Sequence, residues 1–220
     1  MHIVIINASP RVETKSNTAT ILRAFLKGYE QNGNTAETYC LSDRKQWENA
    51  KCAFDNNDHI LFALPLYVEN IPGIMLEFLE GLTPKKQSGT KLSFILQGGF
   101  PEACQRRCGE HYLEMLPKHL NCEFTGILSR GDMFGVNLLG SKLGDKMVQP
   151  FEEMGKRFAE NESFLFPEAE AFTGMEYFDE KSIKVFNRFG RHIQRLMVSR
   201  IVKKLGCKGK LDDRPYEKHI

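Results

Sequence analysis

Three short stretches carry residue types suited to a flat, phosphate-bearing molecule. They read Ser9-Pro10-Arg11 continuing to Ser16-Asn17-Thr18, then Pro65-Leu66-Tyr67-Val68-Glu69-Asn70-Ile71-Pro72-Gly73, then Gln97-Gly98-Gly99-Phe100-Pro101-Glu102. In the first, Ser9, Arg11, Ser16, Asn17 and Thr18 surround the start of a predicted helix, where unpaired N–H groups and the helix dipole favour an anion. Neither Gly-Lys-Ser/Thr nor Gly-x-Gly-x-x-Gly is present, so a terminal monophosphate fits better than a triphosphate or pyrophosphate. The same residues would also make an N-cap and turn that hold nothing, with Arg11 a solvated surface cation.

The second stretch is stiffened by proline at both ends. Tyr67 offers a flat face or an edge, and the backbone near Pro65, Leu66, Val68 and Asn70 can reach polar atoms of a ring. Its bland alternative is a tyrosine that caps the core. In the third, Gln97, Gly98 and Gly99 allow close backbone approach because no Cβ intervenes. Phe100 and Pro101 are expected at the rim, and Glu102 as the cap of the next helix.

Each stretch follows a predicted strand, and this places them together. Dense apolar runs at 2–8, 59–64 and 92–96 read as strands covered on both faces, with further strands at 35–41 and 123–128. Helical spacing fills the intervals: 17–31, 43–55, 74–82, a helix from Pro101 to about Leu120 that Pro117 ends or kinks, and one over 141–161. The alternation implies an α/β, doubly wound, five-stranded parallel sheet, whose ligands bind outside the carboxyl ends of its strands. The expected division is a layered domain over 1–166 and a helical extension over 167–220.

Composition excludes several classes. The chain of 220 residues is 41% hydrophobic and 26% charged with net charge +2, ordinary for a globular protein. No 18-residue apolar run exists, and Met1-His2-Ile3-Val4 is expected to be strand rather than signal peptide. Cysteines 40, 52, 104, 108, 122 and 207 form no Cys-x-x-Cys pair, so reduced thiols and a cytoplasmic location are expected. Cys104 and Cys108 read as small apolar residues on one helix face. The six histidines show no metal-ligand spacing, and Gly-x-Ser-x-Gly does not occur.

Asn7-Ala8-Ser9-Pro10-Arg11 followed by Ser16-Asn17-Thr18 resembles the Gly-Ser-Pro-Arg…Ser-Asn-Thr phosphate loop of the NAD(P)H-dependent FMN reductases, relatives of flavodoxin. Ala8 stands where glycine is usual, and Glu77 stands near a common lysine. The second and third loops extend the likeness over about residues 1–160. The resemblance implies a flavodoxin-like fold and FMN held by the three loops: phosphate on the first, ring and ribityl on the second, pyrimidine side against the third. It implies hydride transfer from NAD(P)H through the flavin to a small acceptor such as a quinone, a nitro or azo compound, free flavin or a metal. It further implies a homodimer, in which one protomer's tail or 131–140 loop walls the partner's site. A flavodoxin-type electron carrier is the alternative; the slightly basic charge and longer first loop favour an enzyme.

Beyond Pro167 the alternation stops. Residues 181–210 hold ten Lys or Arg and no Asp or Glu, with Phe186, Phe189, Ile193, Leu196, Met197, Ile201 and Leu205 at helical spacing. The pattern predicts one amphipathic basic helix. It would pack over the domain or across a dimer, or lie on an anionic membrane surface. Nucleic-acid binding is not expected, because no reading motif accompanies the charge.

Overall fold

The computed structural model describes residues 1–185, 190–209 and 211–214. Five strands, β1 (His2–Asn7), β2 (Thr35–Cys40), β3 (His59–Pro65), β4 (Lys91–Gln97) and β5 (Glu123–Arg130), form one sheet in the order β2-β1-β3-β4-β5. Every pairing is parallel, with Val4 beside Ile60, Phe62 beside Phe94 and Leu96 beside Ser129. The order reverses at β1, so the crevice beyond the ends of β1 and β3 is the natural ligand position.

Alternate side chains of the central strands feed two cores. On one face Ile3, Ile5, Leu61, Ile95 and Leu128 meet α1 (Asn17–Tyr29), α6 (Pro150–Asn161) and α7 (Pro167–Phe172). On the other, Val4, Ile6, Phe62, Phe94 and Leu96 meet α2 (Trp47–Asn56), α3 (Gly73–Glu80) and α4 (Arg107–His119). Helix α5 (Ser141–Val148) precedes α6. Complete burial of a residue such as Phe62 or Ile5 is worth about 1.5–3 kcal/mol, so these two layers hold the strand ends in register.

Helices α1 and α6 cross closely because both crossing residues are glycine. A β-carbon on Gly28 would collide with the carbonyl oxygen of Glu152, and one on Gly155 with that of Phe25. This crossing lies in the last turns of α1, at the end of the helix away from the first loop.

Several expected boundaries shift. The single helix over 141–161 is two, because Pro150 has no N–H to continue the ladder and instead occupies the first turn of α6. Pro101 lies outside its helix: a 3-10 turn at Ala103–Arg106 comes first, and α4 begins at Arg107. Pro117 is accommodated inside the last turn of α4. Cys104 lies in that 3-10 turn while Cys108 is exposed on α4, so the two do not share a helix face.

The chain forms two compact units, Met1–Tyr177 and Phe178–Ile220. The first runs past the boundary expected at 166, because Ala169 and Phe172 of α7 are buried in the sheet's core. The second contains α8 (Glu180–Val185), capped by Asp179 accepting from the Ser182 amide at 2.6 Å, and α9 (Arg191–Lys204). Helix α9 stops before Gly206, whose φ is +85°, rather than running to 210. Phe186 and Phe189 lie outside the described residues; Leu196 and Leu205 are exposed and Ile201 is half-buried. Among the described residues no helix is long and apolar enough to cross a membrane.

Candidate functional site

The first loop is folded by its own side chains. Asn7 Oδ1 accepts from the Ser9 amide at 3.1 Å, and Ser9 Oγ accepts from the Arg11 amide at 3.3 Å. Ser16 has extended backbone and caps α1, its Oγ accepting from the Ala19 amide at 3.2 Å. Asn7, Ser9, Ser16 and Thr18 are buried, whereas Arg11 is exposed. Two buried side-chain oxygens at the head of α1, Asn17 Oδ1 and Thr18 Oγ1, have no partner. Burying a polar atom unpaired costs about 1–3 kcal/mol, so their clustering at a helix N-terminus marks a place prepared for a polar ligand.

The second loop is pinned by Leu66, whose amide donates to the Gln97 carbonyl at 2.8 Å. Tyr67 and Asn70 exchange backbone bonds of 2.9 and 3.0 Å across a two-residue turn. Val68 and Glu69 at its tip have φ of +48° and +62°, the left-handed region that glycine or asparagine normally occupies. Val68 is 99% exposed, so packing does not explain its presence there.

The third loop is tied to the segment after β5. The Gly98 amide donates to Arg130, the Met133 amide to Gly98 and the Asp132 amide to Phe100, at 2.9, 2.9 and 3.1 Å. A segment distant in sequence supports it: Ala103 and Cys104 amides donate to the carbonyls of Met175 and Glu176. Arg107 then forks to Glu176 and also pairs with Glu110 at 2.5 Å. Beneath Gly98 lies Arg106, completely buried.

The three loops enclose a cavity of about 420 Å³. Ser9, Arg11, Asn17, Thr18, Pro65, Leu66, Tyr67, Val68, Gln97, Gly98 and Gly99 line it. Ser16 and Asn70, expected among them, do not. Ser16 is committed to the cap of α1, and Asn70 closes the turn while its Oδ1 accepts from the Ile71 amide at 2.8 Å. The wall also includes Glu69, Phe100, Gln105, Arg106, Phe134 and Leu138. Phe100 stands at the rim, as its place beside the glycine pair leads one to expect. Arg106 carries no sequence signal, because a helix from Pro101 would make it one more surface cation. Phe134 and Leu138 come from a glycine-containing segment whose path local sequence does not determine.

Charge in and near the site follows from burial and pairing. Burial lowers the Arg106 guanidinium from its usual range, and the Glu110 charge opposes this. Burial pushes the Cys40 thiol up, leaving it a protonated core residue beside Asn7. Glu77 lies away from the cavity, bonded at 2.5 and 2.6 Å by both terminal nitrogens of Arg44, which itself stacks over Trp47. Among the described residues no cluster of three or more potential metal-binding side chains occurs.

A mononucleotide meets suitable chemistry here. Thr18 and Ser9 hydroxyls, with the opening amides of α1, can donate to a phosphate, and Asn17 Oδ1 can accept from a sugar or ribityl hydroxyl. Tyr67, Leu66 and Phe100 supply flat or apolar walls, and a Gly98–Gly99 edge adjoins them.

The sequence profile of the flavodoxin-like fold matches residues 1–127, and the chain belongs to that family. Comparison with curated proteins found no match. Among solved structures, the FMN-dependent NADH-azoreductase from Bacillus anthracis in complex with FMN is 17% identical, covering 72% of this chain and 100% of its own, with a TM-score of 0.54. The FMN complex of general stress protein 14 from Treponema denticola is 13% identical, with coverage of 73% and 98% and a TM-score of 0.53. An NADPH-quinone reductase from P. pentosaceus is 15% identical, with coverage of 70% and 98% and a TM-score of 0.52. At these identities the likeness is one of fold.

Proposed function

We infer that this protein is an FMN-dependent oxidoreductase that passes hydride from NAD(P)H to a small acceptor. The observation that carries this reading is the pair of unpartnered buried oxygens, Asn17 Oδ1 and Thr18 Oγ1, at the end of a cavity whose remaining wall is aromatic, apolar and glycine-rich. Relatives of the same fold that are described as FMN-dependent azoreductase and NADPH-quinone reductase support it.

Bound FMN would supply the two-electron chemistry, taking up hydride and handing it on. The remaining work falls to this chain. Thr18, Ser9 and the first amides of α1 hold the phosphate, with Arg11 adding charge at the mouth. Asn17 orients the sugar alcohol while its Nδ2, donating at 2.9 Å to Met133, keeps the amide fixed. Pro65, Leu66, Tyr67 and Val68 seat one side of the ring, and Gln97, Gly98 and Gly99 bring backbone against another. Exposed Phe100 and Phe134 at the rim restrict water and favour a flat, apolar co-substrate. The azo or quinone class of acceptor is the corresponding proposal for the substrate.

Steady-state kinetics test the reading. The FMN-loaded protein should consume NADH or NADPH continuously when given a soluble quinone or azo dye. A stoichiometric burst that stops, or no consumption with either nucleotide, would place it with electron carriers instead.

A further inference from the structure

Arg106 is the largest of the fully buried side chains, and it lies under the third loop against the cavity. Its Nε donates to Ser129 Oγ at 2.9 Å, Nη1 to the carbonyls of Phe100 and Glu102 at 3.3 and 3.1 Å, and Nη2 to that of Thr173 at 2.8 Å. All four acceptors are neutral. Among the described residues no carboxylate forms an ion pair with Arg106. Glu110 is linked to it through Ser129, which donates to Glu110 Oε1 at 2.5 Å. Glu110 and Glu176 are themselves engaged by Arg107.

A buried cation without a direct counter-charge is costly, several kcal/mol after relaxation by general estimates. Carbonyl staples alone do not require it, since a neutral donor could make them at lower cost. What a neutral group could not provide is a standing positive potential in the cavity. In such low-dielectric surroundings that potential acts strongly on any charge arising nearby.

We propose that Arg106 is a positioning residue that does two things. It fixes the third loop, and its charge, which no carboxylate of the described residues contacts directly, makes the cavity prefer the reduced, anionic form of the flavin to the oxidised form. The inference rests on the FMN reading above. Uptake of a hydride by neutral oxidised flavin ring adds two electrons and one proton, hence one negative charge. A ring against Gly98 and Gly99 gains that charge next to the arginine, whose Cδ lies 3.1 Å from the position a Gly98 β-carbon would take. The electrons come from NAD(P)H, the donor the proposed activity already uses.

The test is the ratio of affinities for reduced and oxidised FMN, read from the midpoint potential of the bound cofactor beside its affinity in the oxidised state. In the wild type the bound potential should lie above that of free FMN in the same buffer. Arg106→Met should weaken the reduced complex roughly tenfold more than the oxidised one, a downward shift of about 30 mV for a two-electron couple. Arg106→Lys keeps the charge and loses the fork, so it should weaken both complexes but hold the wild-type ratio within about twofold.

Equal weakening of both forms in Arg106→Met would reduce Arg106 to a structural staple and overturn the proposal. Should that variant fail to fold, the wild type decides alone: a bound potential at or below that of free FMN overturns it. A wild type that takes up no FMN removes the functional reading itself, an outcome distinct from binding with an unaltered ratio.

Discussion

Asn17 Nδ2 donates to the carbonyl oxygen of Met133, 116 positions further along the chain, at 2.9 Å. This bond joins the head of α1 to the segment following β5, and it leaves Asn17 Oδ1 buried and unpartnered. The first loop is thus held open by contacts made far along the chain rather than by its own turn alone.

Thr18 gives a test with opposite signs. Replacing it by valine removes a buried hydroxyl that has no partner in the free protein, so unfolding of Thr18→Val without ligand should need about 1 kcal/mol more. FMN affinity should fall by about 1.5–3 kcal/mol through loss of a charge-assisted bond to phosphate. Chemical denaturation and fluorescence titration measure the two effects. A variant that loses stability and keeps FMN would place the phosphate elsewhere.

The turn at Val68–Glu69 holds two non-glycine residues at positive φ, and each costs roughly 1–2 kcal/mol. Asn-Gly suits that geometry. The double variant Val68→Asn, Glu69→Gly should therefore raise the urea midpoint, by about 1 kcal/mol of stability. An unchanged or lower midpoint would mean that the turn is not strained.

Gly28→Ala places a methyl group against the backbone of Glu152 and Lys156 in α6. Backbone cannot swing aside as a side chain can, so a loss of about 1–3 kcal/mol is expected. Stability within error of the wild type would argue against the close helix crossing.

How much of this is legible in sequence follows from how local each determinant is. The strands are plain because β1, β3 and β4 are apolar on both faces, and the Ser16 cap because one hydroxyl and one amide three residues on decide it. Loop positions follow from strand ends, so most of the cavity wall can be named from the chain alone. Arg106 cannot, since its partners Ser129 and Thr173 lie 23 and 67 positions away. The break at Gln149 is hidden although Pro150 is in plain view, because apolar spacing continues across it. Glu102 marks the right place for a different structure: the 3-10 turn before α4 starts there.

His59 supplies a pH dependence. Burial, and then the neighbouring Lys91 charge, lower its pKa in the folded protein, while Glu162 and Asp58 act the other way. The unfolded chain therefore binds a proton more readily, and stability is full above the ordinary histidine pKa of about 6.5. It should decline as pH falls from there through the lowered folded value. Urea midpoints should drop between neutral and mildly acid buffer, and His59→Gln should flatten the slope. An identical slope in the variant would assign the effect to other groups.

The central claim, that the three loops hold a working flavin, is tested most directly by anaerobic titration of the purified protein with FMN, followed by NADH or NADPH, under a visible spectrometer. Stoichiometric uptake with perturbed flavin bands is expected, then bleaching by one of the nucleotides and recovery of colour on adding a quinone. Protein that leaves FMN free in solution, its spectrum unaltered, would contradict the claim.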